Sequence, residues 1–131
     1  LEQRGLLHVC IDMPNGSVHL INVHLGLIAA SRRRQVQYLL RVISDHVPAN
    51  VPLVVAGDFN DWAQPLHTPL LHAQLHPPPG RTAKTFPARL PTLGMDRVYA
   101  RGAQLLHASV PSGQSWARLS DHLPLVVDMQ L

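Results

Sequence analysis

Six polar residues of this 131-residue chain stand at the ends of apolar runs: His24, Asp58, Asn60, Asp96, Asp121 and His122. The tightest grouping lies in VPLVVAGDFNDW (Val51–Trp62), where the apolar run stops at Gly57 and then delivers Asp58 and Asn60 two positions apart. A strand end holds such side chains on rigid backbone at the mouth of a cleft. Their chemistry is coherent. Hard carboxylates suit Mg²⁺ or Mn²⁺, a carboxamide can hold a phosphate oxygen, and a histidine held by an aspartate can transfer a proton. Each residue alone also serves as a cap or turn former, and Asp58-Phe59-Asn60-Asp61 reads equally as a turn. Six such ends in one short chain favour a site.

Other chemistries fit less well. Among nine histidines, His72 and His76 have the i, i+4 spacing of a helical zinc site, but HAQLH lacks the Glu of that motif and a third ligand. His8, His19, His46, His67 and His107 show no partner pattern. Ser120-Asp121-His122 has the residue types of a hydrolase triad, yet consecutive residues cannot line up as nucleophile, base and orienter. Neither a G-x-S-x-G elbow nor a G-x-x-x-x-G-K-[ST] phosphate loop occurs. The single cysteine, Cys10, lies in an apolar stretch and reads as a small core residue. It cannot form an internal disulfide, so a reducing, cytoplasmic location is expected.

The elements that must position these residues follow from patterning. Leu6–Met13 and Ser17–His24 are strand-like runs about Pro14-Asn15-Gly16, a hairpin signal. In the second run Leu20, Asn22 and His24 share one face, Ile21 and Val23 the other. Ser31 can cap a helix to about His46 whose Val36, Leu39, Leu40, Ile43 and Val47 recur at helical spacing. Strand Leu53–Ala56 follows. Thr68-Pro69 suggests a cap and first turn of a short helix to about His76, then a rigid Pro77–Gly80 loop. Met95–Ala100 and Leu105–Val110 read as a strand pair about Arg101-Gly102, Pro111–Arg118 as a loop, and Leu123–Leu131 as a last strand. Strands interleaved with one strong helix define an α/β class.

Hydrophobic content of 46% with 15% charged residues specifies a globular chain with room for one domain. No apolar run approaches the roughly 20 residues of a transmembrane helix. Net charge of +3, partly from Arg32-Arg33-Arg34 at the start of the helix, favours an anionic partner such as a phosphate ester or nucleic acid. With two Trp, two Tyr and two Phe there is no aromatic stripe for base stacking. Trp62 and Trp116 flank the polar motifs, as cleft walls or as core.

Four motifs together, INVHLG (Ile21–Gly26), VVAGDFND (Val54–Asp61), MDRVY (Met95–Tyr99) and LSDHLPLV (Leu119–Val126), resemble in type and order those of the endonuclease/exonuclease/phosphatase superfamily, the DNase I-like metal-dependent phosphoesterases. TFPARLP (Thr85–Pro91) is similar to the segment that precedes the third motif in bacterial members. The resemblance covers nearly the whole chain and implies a mixed, mainly antiparallel sheet with flanking helices. It implies Mg²⁺ (or Mn²⁺) as cofactor and hydrolysis of a phosphodiester or phosphomonoester by in-line attack of water. It further implies that Asp58 binds the metal or orients the attacking water, Asn60 holds the scissile phosphate, and His122 is general base or phosphate contact. Asp96 would pair with His122, Asp121 would sit at or near the metal, and His24 would contact phosphate or the leaving oxygen; Asn22 is a weaker candidate on the same strand face.

Domains of that family are built of two similar halves forming a four-layer sandwich, and residues 1–131 correspond to the C-terminal half. The N-terminal Asn and the metal-binding Glu of the family have no counterpart; Glu2 is the sole glutamate and precedes the hairpin. The expectations are therefore an active whole protein, an inactive isolated chain, and an apolar sheet face left for the missing half or for self-association. The rival reading is a non-catalytic binding or scaffold domain that retains the fold.

Overall fold

The computed structural model describes residues 3–131; Glu2 lies outside them. Strands β1 (Leu6–Met13) and β2 (Gly16–His24) form an antiparallel hairpin with Pro14-Asn15 at its tip. Helix α1 (Ala29–His46) then crosses over to β3 (Leu53–Asp58), which pairs parallel with β2. A parallel pair needs such a crossover because a tight turn cannot reverse the chain twice. After α2 (His67–His72) and a long irregular segment, β4 (Asp96–Arg101) pairs antiparallel with β3 and completes a sheet ordered β1-β2-β3-β4. β5 (Gln104–Ser109) and β6 (Val126–Gln130) make a separate two-stranded sheet, joined through α3 (Gln114–Leu119). The α/β class, mixed sheet and flanking helices agree with the sequence reading.

Alternation along the strands builds two cores. Ile21, Val23, Leu53, Val55 and Tyr99 point to one face, where Val36, Leu39 and Ile43 of α1 and Leu70 and Leu75 around α2 pack on them. Burying each Val, Leu or Ile of this kind contributes roughly 1.5–3 kcal/mol. Val18, Val54 and Ala100 point to the other face and meet Leu105 of β5.

Several local expectations are corrected. α1 is capped at Ile28 without a side-chain hydrogen bond, so Ser31 lies inside the helix. Arg32 in its first turn is not a solvated residue: it folds inward, 8% exposed, and its Nη1 donates to the carbonyls of Gly26 and Leu27. Thus one of the three arginines closes the loop ahead of α1. The second helix runs from His67 to His72 with Leu66 as its N-cap, so His72 and His76 do not share a helix, and His76 instead bridges to Ala100. β4 and β5 do not pair with each other; Gly102, at φ 69°, turns the chain out of one sheet into the other. Pro111–Arg118 is not all loop, because residues from Gln114 on form α3, a turn too short to show periodicity. The last strand begins only at Val126. Cys10 is exposed instead of in the core, since β1 is an edge strand. Among the described residues no helix is long and apolar enough to cross a membrane.

Candidate active site

Strand register assembles the site. His24 ends β2 opposite Asp58, and Asp58 ends β3 opposite Asp96, the first residue of β4. Three adjacent strands thus present three functional side chains in one row at one edge of the sheet. Gly57 makes this row possible: its φ is 141°, and a Cβ there would fall 1.9 Å from the Val23 carbonyl oxygen. Only glycine lets β2 and β3 approach so closely just before Asp58.

His122 arrives from outside the sheet. Its segment is clamped by Thr85–Ala88: Ala88 N–H donates to the Asp121 carbonyl at 2.7 Å and Leu123 N–H to the Thr85 carbonyl at 2.8 Å. The Phe86 ring packs on the imidazole with centroids 4.8 Å apart. So held, His122 Nδ1 lies 2.6 Å from Asp96 Oδ2, and the same oxygen accepts the Thr85 hydroxyl at 2.5 Å. A carboxylate accepts, so Nδ1 carries the proton and Nε2 is left facing Asp58, 3.8 Å from its Oδ2. His24 Nε2 faces that oxygen at 3.5 Å from the other side. Both separations exceed hydrogen-bond length, leaving room between the imidazoles and Asp58.

Burial alone draws the His122 imidazolium below its ordinary range. The hydrogen bond and charge of Asp96, with the charges of Asp58 and Asp121, outweigh it and leave the pKa raised. Asp58, Asp96 and His122 each offer a ligand atom within 4.8 Å of the others, a possible metal site. Asp96 Oδ2 is already held by two donors and Asp58 Oδ1 accepts the Asn60 N–H at 2.8 Å, so Asp58 Oδ2 is the oxygen best placed for a cation. One carboxylate with waters and substrate oxygens is a donor set that Mg²⁺ accepts, and the residues present fit that ion.

The other predicted residues fall differently. Asn60 adopts φ 48°, a conformation Asn tolerates, and is 4% exposed. Its Nδ2 donates to the Leu25 carbonyl at 2.7 Å, tying the turn after β3 to the exit of β2. Asp121 is exposed, its Oδ1 3.4 Å from the Ser120 hydroxyl, and it does not join the ligand cluster; the clamp on its own carbonyl sets that direction. Trp62 and Trp116 are 61% and 41% exposed and belong to neither core.

Two residues carry more than their sequence signal showed. Thr85 is fully buried and completes the Asp96–His122 array; it was visible only as part of TFPARLP. Asp61, 2% exposed, accepts the Leu66 N–H through Oδ2 at 3.0 Å, and its carbonyl accepts Arg97 Nη2 at 2.6 Å. Its Oδ1 stands 4.0 Å from Arg32 Nε. Asp61 anchors the turn that follows Asp58, a use the acidic pattern alone does not distinguish from a site carboxylate.

A mixed sheet with flanking helices and this row of Asp and His at its strand ends has the DNase I-like architecture. The model of the Endonuclease/Exonuclease/phosphatase family matches residues 3–122, and the chain belongs to that family. It is 37% identical over 143 residues to "Uncharacterized protein YbhP" of Escherichia coli K12, a match covering 99% of the chain and 54% of YbhP. Among solved structures, an endonuclease/exonuclease/phosphatase from Bacteroides vulgatus superposes with a TM-score of 0.78 at 23% identity, over 98% of the chain and 56% of that structure. One from Beutenbergia cavernae gives 0.70 at 27% identity, over 98% and 40%. The chain spans about half the length of the relatives it matches.

Proposed function

We propose that the protein to which this chain belongs is a metal-dependent phosphoesterase that hydrolyses a phosphodiester or phosphomonoester, with residues 1–131 as the C-terminal half of its domain. The observation that carries this reading is the convergence of His24, Asp58 and the Asp96–His122 pair on one gap at the sheet edge. A scaffold that had only kept the fold has no use for an imidazole held by a carboxylate beside a second carboxylate.

In this reading Asp96 and Thr85 fix the tautomer of His122, so that Nε2 accepts a proton from the attacking water or contacts the phosphate. His24, 56% exposed at its side chain, faces the phosphate or the leaving oxygen. Asn60 holds the turn with one amide hydrogen and keeps the second for a phosphate oxygen. Asp58 holds Mg²⁺ or Mn²⁺, or orients the attacking water, and Asp121 acts on the site through its charge on His122. The ion, when bound, supplies charge stabilisation at the phosphoryl and leaving oxygens. Further ligands come from the other half of the domain, so the isolated chain binds the ion weakly and is inactive.

The test is a panel of phosphodiester and phosphomonoester substrates, including bis-p-nitrophenyl phosphate, on the whole protein with Mg²⁺ and with EDTA. Turnover that needs the ion and disappears in Asp58→Ala supports the reading. A whole protein that turns over no member of the panel, yet binds a polyanion, supports the scaffold instead.

A further inference from the structure

At the far end of the hairpin from the active site, a second cluster of ligand-type side chains lies on the helix-facing side of β1 and β2. Cys10 and His19 are direct partners across the ladder, and His8 is two residues from Cys10 on the same face. His19 Nε2 points at Cys10 Sγ, 3.8 Å away, while His19 Nδ1 lies 2.8 Å from His8 Nε2. His19 pairs with Leu53 at the start of β3 and His24 with Asp58 at its end, so about 17 Å of strand separates the two clusters. The phosphoesterase reading uses none of these residues.

We infer that Cys10 and His19 are the protein ligands of a zinc-class cation, with His8 orienting His19. The donors are one thiol and one imidazole with no carboxylate among them, a set that selects zinc or copper(I) over magnesium. With Zn–S near 2.3 Å and Zn–N near 2.0–2.1 Å, a tetrahedral site needs an S···N edge of about 3.5 Å. The Cys10–His19 separation is within a few tenths of an ångström of that edge. The His19–His8 bond is the arrangement by which an outer partner fixes the tautomer of a ligating imidazole, leaving Nε2 with its lone pair toward the ion. Cys10 is exposed, so solvent supplies the remaining positions and takes up the thiol proton released on binding.

The experiment uses the whole protein under a thiol-free reductant, titrated with Co²⁺ as the spectroscopic probe and then with Zn²⁺ in competition. A thiolate-to-cobalt charge-transfer band that Zn²⁺ displaces is expected. Cys10→Ser should abolish it, His19→Gln should weaken cobalt binding at least tenfold, and His8→Phe should weaken it about 10–100-fold. All three variants should keep the wild-type circular dichroism spectrum and phosphoesterase activity. No band in the wild type, or a band that survives Cys10→Ser or is indifferent to His19→Gln, overturns the assignment. The readout does not depend on turnover, so it stands or falls apart from the proposed activity.

Discussion

His122 donates through Nδ1 to Asp96 Oδ2 at 2.6 Å, across 26 residues of sequence. The contact joins the first residue of β4 to a segment outside the sheet, and its consequence is electrostatic. Asp96 compensates the burial of the imidazole and raises its pKa, while the fixed Nδ1–H leaves Nε2 as the proton acceptor. For a general base this sets the acid limb of the rate profile above the ordinary histidine value near 6.5. Asp96→Asn removes the partner's charge, so the acid limb should move down and kcat should fall by about 10²–10⁴, the usual worth of a positioned proton acceptor. A pH–rate profile of the whole protein checks both.

The same pair predicts how stability depends on pH. A histidine raised in the folded state stabilises the fold fully below its unfolded value of about 6.5, and that contribution is lost as pH rises through the folded value. Urea midpoints should therefore decline as pH increases across that window. In Asp96→Asn the decline should flatten.

Thr85 shares Asp96 Oδ2 with His122 and disperses its charge. Thr85→Val keeps the volume and removes the donor, so Asp96 should bind the His122 proton more tightly. The acid limb should then move up, opposite to the shift in Asp96→Asn, and Thr85→Ser should restore it. The stability cost should be about 1.5 kcal/mol, the low end for a hydrogen bond to a charged group, because Asp96 is still 23% exposed at its side chain.

Gly57 and Gly16 share a φ near 140° but differ in surroundings. Gly57→Ala drives a Cβ into the Val23 carbonyl and should cost more than about 4 kcal/mol. Gly16→Ala meets nothing within 4 Å and should cost only backbone strain, about 1–2 kcal/mol. Chemical denaturation of both variants separates close approach from conformational strain.

How far the sequence disclosed this arrangement depends on the range of each signal. The strands holding His24 and Asp58 and the inner face of α1 are local patterns of period 2 and 3.6, and they emerged close to the boundaries observed. What composition cannot show is which strand pairs with which. Hence β4 and β5 were expected as partners although Gly102 sends them to different sheets. The row His24–Asp58–Asp96 is likewise a fact of register, and Thr85 enters the site only because residues 85–88 clamp residues 121–123. Cys10 was misplaced for a related reason: the edge position of β1 exposes it.

The outer face of β1 bears the last prediction. Leu7, Val9 and Ile11 alternate along an edge strand and are 63%, 39% and 42% exposed, on the sheet face opposite α1. An apolar row on an edge strand invites association. Residues 1–131 alone should therefore self-associate with rising concentration in sedimentation velocity, and Val9→Lys with Ile11→Lys should shift them to monomer. If the other half of the domain covers this face in the whole protein, the same double variant should bury two unpaired charges there and lower stability by several kcal/mol. If the double variant leaves the whole protein as stable as before, β1 faces solvent there too, and the other half packs elsewhere.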